Sequence, residues 1–469
     1  MFGRRVIYTE VEEINEGNIL EVLGKAYQQH TINEFEIDYL YRYYKGDQPI
    51  LYRKKEIRAD IKNMVVENRA NEIVAFKTGY HLGEPVQYVS RTDDESITSE
   101  VLTLNDYMLA EDKPTKDKEL DDWAHICGTS YRMVLPDKMA DTEEDEAPFE
   151  IFTLDPRYTF VVYSNGLGNK PMMGVRFVKK EDGTIVYSCY TDNAYYEIEN
   201  SQKILAVESQ ILGIPIIEYP ANNARQGAFE IVIPLLDAIN TVESNRLDGI
   251  EQFVQAYWKF VGCKVEEETF NKFKEMGAIM VPPNDNGGNI DVDLITKDLN
   301  QDQTQTLVDS MYNAVLTICG MPNRNGGSST SDTGSAVIMR DGWSAAEARA
   351  KASDLMFKKS EKEFLKLVLR ICRDMAGLNL KLSALEIRFT RRNYENISDK
   401  VNVLVSMLNC EKIAPELAFT TCGAFLDPQL SYKMSEPYIE RANRQKDIEQ
   451  TRSASDGGRS VEEPPDGGV

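Results

Sequence analysis

The chain has 469 residues, with 53 Lys and Arg against 76 Asp and Glu, for a formal net charge of −23. That length allows several domains, and a content of 42% hydrophobic and 28% charged residues belongs to an ordinary folded protein rather than a disordered one. The charge argues against a protein that grips nucleic acid along its surface, because such affinity comes chiefly from Lys and Arg neutralising phosphates.

No apolar run approaches the roughly 18 residues of a membrane span. Met1-Phe2-Gly3-Arg4-Arg5 leads into acidic residues and not into an apolar stretch, so no signal peptide is expected. Cysteines at 127, 189, 263, 319, 372, 410 and 422 form no C-x-x-C pair and read as buried reduced thiols. His30, His81 and His125 are the only histidines, too few for a zinc site to be expected. No metal and no cofactor are expected.

An amphipathic helix and a polar connector run to about His30. Thr31–Tyr44 is a second helix, broken by Gly46-Asp47-Gln48-Pro49. Ile57–Thr78 is predicted as a third, with Ile61, Met64, Val65, Ile73, Val74 and Phe76 apolar; Gly83 and Pro85 follow it. Thr98–Glu111 and Lys116–Cys127 are two more helices, and Gly128-Thr129-Ser130-Tyr131 enters a strand. The run Asp141–Glu146 reads as a solvated turn. Strands Glu150–Leu154, Thr159–Tyr163, Met173–Val178, Ile185–Tyr190 and Ala194–Ile198 alternate with turns such as Asn165-Gly166 and Asp182-Gly183, predicting an antiparallel sheet.

The stretch that follows organises the rest. In Ile231–Trp258 apolar residues recur at helical spacing, among them Val232, Leu236, Ile239, Val242 and Ile250, with Pro234 in the first turn. The other face carries Asp237, Glu243, Asp248 and Glu251 against Arg246 alone. Lys259–Leu299 holds an apolar run (Lys259–Cys263) and a small helix (Glu266–Met276). Two β-like runs follow, Ala278–Val281 and Ile290–Ile295, joined by a turn. Gln301–Cys319 is a helix with Leu307, Met311, Ala314, Val315 and Ile318 on one face, stopped by Gly320 and Pro322. Pro322–Gly334 has no apolar residue and reads as an exposed, mobile loop. Ser335 opens a helix to about Ala376, kinked at Gly342. Leu385–Arg391 is a lone strand. Ser398 caps a helix to about Asn409, Pro415 starts another and Pro428 a third, ending near Asn443. Arg444–Val469 is polar and reads as disordered.

Chemistry is hard to find. There is no G-x-x-x-x-G-K-[ST], and Gly166-Leu167-Gly168 lacks the third glycine of a dinucleotide fingerprint. Asp285–Asp293 has Gly287 where a calcium loop needs a ligand. No catalytic residue is assigned, and an enzyme is not expected.

This order of parts resembles the portal proteins of tailed bacteriophages, in the branch with the shorter, SPP1-like siphophage portals, over about residues 30–443. The resemblance implies an α+β portal fold. Residues 1–230 would be a wing of helices plus antiparallel sheet. The first stem helix would be 231–258, the small α/β clip 259–299 and the second stem helix 300–320. A tunnel loop (321–334), the long wing helix and strand (335–397), an all-helical crown (398–443) and a disordered tail (444–469) would follow. Leu236, Ile239, Leu307 and Met311 would pack between subunits or between the paired stem helices. Asp237, Glu243, Asp248 and Glu251 would be candidates for an acidic channel wall. Asn323, Arg324, Asn325, Ser328, Ser329 and Thr330 would bring the loop nearest to DNA.

The resemblance also implies partners. These are further copies of the chain, in a ring of twelve at one capsid vertex, and double-stranded DNA in the channel. A terminase, a head-completion adaptor, and the major capsid and scaffolding proteins complete the set; no membrane is involved. The place would be the virion, reached from the host cytoplasm during assembly. Two other readings stay open: an acidic α+β enzyme with an unrecognised active site, and another virion component without DNA passage.

Overall fold

The computed structural model describes residues 3–55, 59–92, 94–140, 146–210, 212–254, 257–261, 291–295, 301–323, 342–391, 397–410, 412–425, 428, 431–441 and 444–445. The chain forms two units, residues 1–326 with 341–391, and residues 327–340 with 392–469. The first unit opens with β1 (Ile7–Thr9), α1 (Ile19–Tyr44), α2 (Arg69–His81), β2 (Gln87–Ser90), α3 (Glu95–Ala110) and α4 (Lys113–Cys127). Then come β3 (Thr129–Pro136), β4 (Phe149–Leu154), β5 (Thr159–Ser164), β6 (Pro171–Lys179), β7 (Ile185–Tyr190), β8 (Ala194–Glu199), β9 (Lys203–Ser209) and β10 (Ile216–Pro220). It continues with α5 (Ile233–Val254), β11 (Tyr257–Val261), β12 (Asp291–Ile295), α6 (Gln301–Cys319), α7 (Trp343–Ala376) and β13 (Leu385–Arg388). The second unit holds α8 (Ile397–Leu408), α9 (Pro415–Cys422) and a further helix at 431–441. The architecture is α+β.

The break expected near His30 does not occur: α1 is one helix serving two cores. Its first half packs Ile19, Val22, Leu23 and Ala26 against the large sheet. Its second half buries Ile37, Leu40 and Tyr43 beside α2, α5 and α6. His30 is buried between the halves, stacked on Phe160 at 4.6 Å, with Nε2 2.9 Å from the Arg157 carbonyl. Burial lowers its pKa to about 4, so it is a neutral packing residue.

The single predicted sheet is two. One has the strand order β1-β5-β6-β7-β8-β9, the other β10-β3-β4. Strand β1 joins parallel to β5, with Ile7 opposite Val162, a pairing that no local pattern could announce. β9 was missed because, as an edge strand, it buries neither face fully.

Only part of the helix predicted over Ile57–Thr78 forms, as α2. Residues 61–68 instead lie along α5 without helical structure. The backbone N–H groups of Asn63, Val65 and Glu67 donate to Asp248 Oδ1, Ser244 Oγ and Asn240 Oδ1 at 2.8, 3.0 and 2.9 Å. The acceptors recur every four residues, ~6 Å along a helix, and the donors every two, ~6.6 Å of extended chain. The two repeats match, so side chains of α5 replace a sheet partner and override the helical propensity.

A third core gathers α3, α4, α7, β3, β4, β10 and the β2–β13 pair. β13 is therefore not alone: Leu385 faces Ser90 across an antiparallel ladder. Glu361 of α7, fully buried, meets Lys113 at 2.9 Å and Arg132 at 3.3 Å and accepts hydrogen bonds from Tyr88 and, at 2.7 Å, Tyr219. Asp117 joins Lys113 and Arg132, so two cations and two carboxylates balance inside the core. The helix expected before a kink at Gly342 would fall on 335–341, which lie outside the described residues. Gly342 has a left-handed φ of 85°, and α7 starts after it. In the second unit Phe419 stacks on Phe425 at 5.1 Å and meets Tyr432 at 5.9 Å.

Candidate functional site

Helices α5 and α6 run antiparallel. Cys319 Sγ lies 3.7 Å from the Ala228 carbonyl at one end, and Arg246 Nη1 donates to Gln305 Oε1 at 2.7 Å towards the other. Between them Leu236, Ile239, Val308, Val315, Leu316 and Cys319 are buried. Strands β11 and β12 continue the pair, with Tyr257 opposite Ile295 and Val261 opposite Asp291. Tyr257 and Trp258, expected to end the helix, therefore belong to a strand. Residues 291–295 pair with 257–261, a partner that was not predicted, and the expected partner Ala278–Val281 lies outside the described residues. Residues 262–290, including the expected small helix and turn, lie outside the described residues.

Leu236 and Ile239 are 2% and 1% exposed inside their own chain. On α6 the buried stripe is shifted from the expected one: Val315 is buried as expected and Val308 and Cys319 join it, while Leu307 and Ile318 are 51% and 39% exposed. Met311 is half-buried. Helix α6 thus presents two neighbouring outward stripes. Leu307, Met311, Ala314 and Ile318 form an apolar one; Asp302, Thr306, Asp309, Asn313 and Thr317 form a fully exposed polar one.

The four acidic candidates of α5 all have partners in the chain. Asp237 accepts from Tyr43 Oη at 2.9 Å; burial raises its pKa and that hydrogen bond opposes the rise. Glu243 lies 3.6 Å from Arg246. Glu251 accepts from Asn63 Nδ2 at 3.0 Å. Asp248 is 4% exposed and is paired with Arg53 and with Lys55 at 3.0 Å, so its charge is neutralised internally. Asn240 and Ser244, which share its role, were missed, although an N-x-x-x-S-x-x-x-D repeat on a predicted helix was a readable signal.

A cavity of about 730 Å³ opens between α2, α5 and α6, lined in part by Glu67, Glu72, Glu243 and Asp309. Tyr312 crosses it, donating to Glu72 at 2.8 Å with the Arg69 guanidinium 4.1 Å above its ring. Of the loop residues, Asn323 is described, with Nδ2 3.1 Å from Asn313 Oδ1. Arg324, Asn325, Ser328, Ser329 and Thr330 lie outside the described residues. No helix among the described residues is long and apolar enough to cross a membrane.

Three comparisons bear on the whole. A solved structure, the neck of empty GTA particle computed with C6 symmetry, is similar over 75% of this chain and 89% of that chain, at 10% identity and a TM-score of 0.43. No curated protein matches. The family model for phage portal protein, SPP1 Gp6-like, matches residues 25–451, nearly the full length. The chain belongs to the SPP1 Gp6-like family of phage portal proteins.

Proposed function

We propose that this chain assembles into a ring, of twelve subunits in the virion, that serves as the conduit for genome packaging and ejection at one capsid vertex. Terminase would dock on it first and a head-completion adaptor later, through the segment 259–299. Capsid and scaffolding proteins would meet residues 1–230. The reading rests on the family match, and one observation carries it to this chain's residues: the paired stripes of α6. An exposed apolar stripe beside an exposed polar one suits a helix with a neighbouring copy on one side and water or DNA on the other. Leu247 and Ile250, each 43% exposed on α5, extend the apolar surface. On the polar side Asp302 and Asp309 would repel phosphate, letting a duplex slide instead of sticking.

The loop 321–334 would approach DNA most closely. Its charges, Arg324 and Asp332, would give weak, salt-screened contacts repeated around the ring. Negative-stain images and native mass of the full chain test the assembly: rings with a central hole are expected, and monomers or solid particles refute it. In a packaging reaction, Asp302→Lys with Asp309→Lys in every subunit should slow DNA entry, most visibly at low salt. Unchanged entry at both salts removes α6 from the channel wall.

A further inference from the structure

Three histidines were too few to predict a metal site, yet the fold brings two of them to one carboxylate. His81 closes α2, while Asp121 and His125 stand one turn apart on the same face of α4. One ligating atom from each lies within 4.8 Å of the other two, and all three residues are buried. His81 Nδ1 is 2.9 Å from Asp121 Oδ1, and His125 Nε2 is 3.3 Å from Asp121 Oδ2. The His125 separation matches ~3.3 Å, the edge of a tetrahedron whose corners lie about 2.0–2.1 Å from zinc; the His81 separation is shorter and is to the other oxygen of Asp121.

Three further observations point to a ligand. Asp121 Oδ2 and His125 Nε2 are buried 3.3 Å apart and neither makes a well-aligned hydrogen bond, a condition that native cores rarely leave unexplained. The Asp354 carboxylate lies 3.3 Å behind His81 Nε2 and is itself held by Arg391. A carboxylate behind an imidazole is how metal sites fix the tautomer and ring orientation. A cavity of about 20 Å³ adjoins the cluster, lined in part by Ser130, Tyr219 and Ser353, with room for one water.

We propose that His81, Asp121 and His125 bind one divalent cation of the zinc class, with Asp354 orienting His81 and a water completing the shell. Two imidazoles and one carboxylate suit zinc; magnesium and calcium favour oxygen ligands throughout. The site joins α2 and α4, and through Asp354 it reaches α7, so its role would be to tie the long helix to the N-terminal helices. Without the cation the same groups form an ion pair. Burial opposes charge on His81, but Asp121 and Asp354 outweigh it and raise its pKa to about 9.

The test uses the full-length chain with any affinity tag removed, stripped by chelator and titrated with Zn²⁺ or Mg²⁺. Uptake of about one Zn²⁺ per chain, no comparable Mg²⁺ uptake and a raised unfolding temperature are expected. Zinc-edge X-ray absorption of the wild-type protein should report two imidazoles, a readout independent of any variant's folding. His125→Gln should weaken binding at least ~10-fold, and Asp354→Asn by ~10–100-fold. Zinc uptake below ~0.1 per chain, equal binding after His125→Gln, or fewer than two imidazoles at the metal would overturn the proposal and leave an ion-paired network.

Discussion

Replacing Asp248 with Asn removes the charge that latches residues 61–68 onto α5. The carboxylate accepts from the Asn63 backbone N–H at 2.8 Å, from Asn63 Nδ2 at 3.0 Å and from Lys55 Nζ at 3.0 Å, and it pairs with Arg53. Burial pushes its pKa up, but these partners outweigh burial and hold it at about 2, below the ordinary 3.8. That difference is worth about 2 kcal/mol at neutral pH. The stabilisation is present in full above the unfolded value near 3.8 and is lost as pH falls through about 2. Removing one member of a fully buried pair costs more, roughly 3–5 kcal/mol. Here the Lys55 and Arg53 side chains are 23% and 15% exposed, so water screens them and the smaller figure governs. About 2 kcal/mol corresponds to ~30-fold faster amide hydrogen exchange at Asn63, Val65 and Glu67, with the rest of the first unit unchanged. Equal exchange in variant and wild type at those three amides would refute the latch; acceleration throughout would make Asp248 a global determinant instead.

Glu361→Gln leaves Lys113 and Arg132 under-neutralised in the core, and a loss of roughly 3–5 kcal/mol should appear as a lower unfolding temperature of the first unit. A shift within error would mean that the ion cluster relaxes freely. Gly128→Ala puts a Cβ 2.1 Å from the Arg225 carbonyl oxygen at a φ of 85°, so loss of at least ~1–3 kcal/mol is expected in chemical denaturation. Leu307→Asp should leave the far-UV circular dichroism intact and abolish rings by native mass. Ile239→Asp, at 1% exposure, should instead unfold the chain itself.

Periodicity found the elements whose partners are near in sequence. Helices α3, α4, α5 and α6 and the strands β4 to β8 lie within a few residues of their predicted bounds, since each buries one face at its own repeat. What escaped depends on residues far away. The apolar spacing of 57–78 looked helical because its acceptors, Asn240, Ser244 and Asp248, stand some 180 residues downstream. Strand β1 adds parallel to a strand about 155 residues later, and β12 reaches back across residues 262–290 to β11. The candidate site was legible as two helices and as the apolar face of α5, Leu236 and Ile239, but less so on α6, where a one-residue offset exchanges Leu307 for Val308 in the core. The convergence of His81 and His125 on Asp121 needs tertiary structure to be seen at all.

The circumference of α5 limits what that helix can still do. Leu236 and Ile239 face the core, while Asn240, Ser244 and Asp248 face the latched segment. The arc that remains, with Ala238, Thr241, Asn245 and Gly249, carries no carboxylate. Asp237, Glu243, Asp248 and Glu251 each have a partner within the chain, so the sequence-level acidity of α5 does not translate into a free acidic face. Helix α6 has the opposite balance: Asp302 and Asp309 are exposed, and the helix contains no Lys or Arg. If a ring of these chains has an acidic wall, α6 supplies the charge and α5 the scaffold behind it. The residues that set how easily a polyanion slides are then different from those that hold the wall in place, and the two sets touch where Asp309 accepts from Gln305, itself bonded to Arg246 of α5.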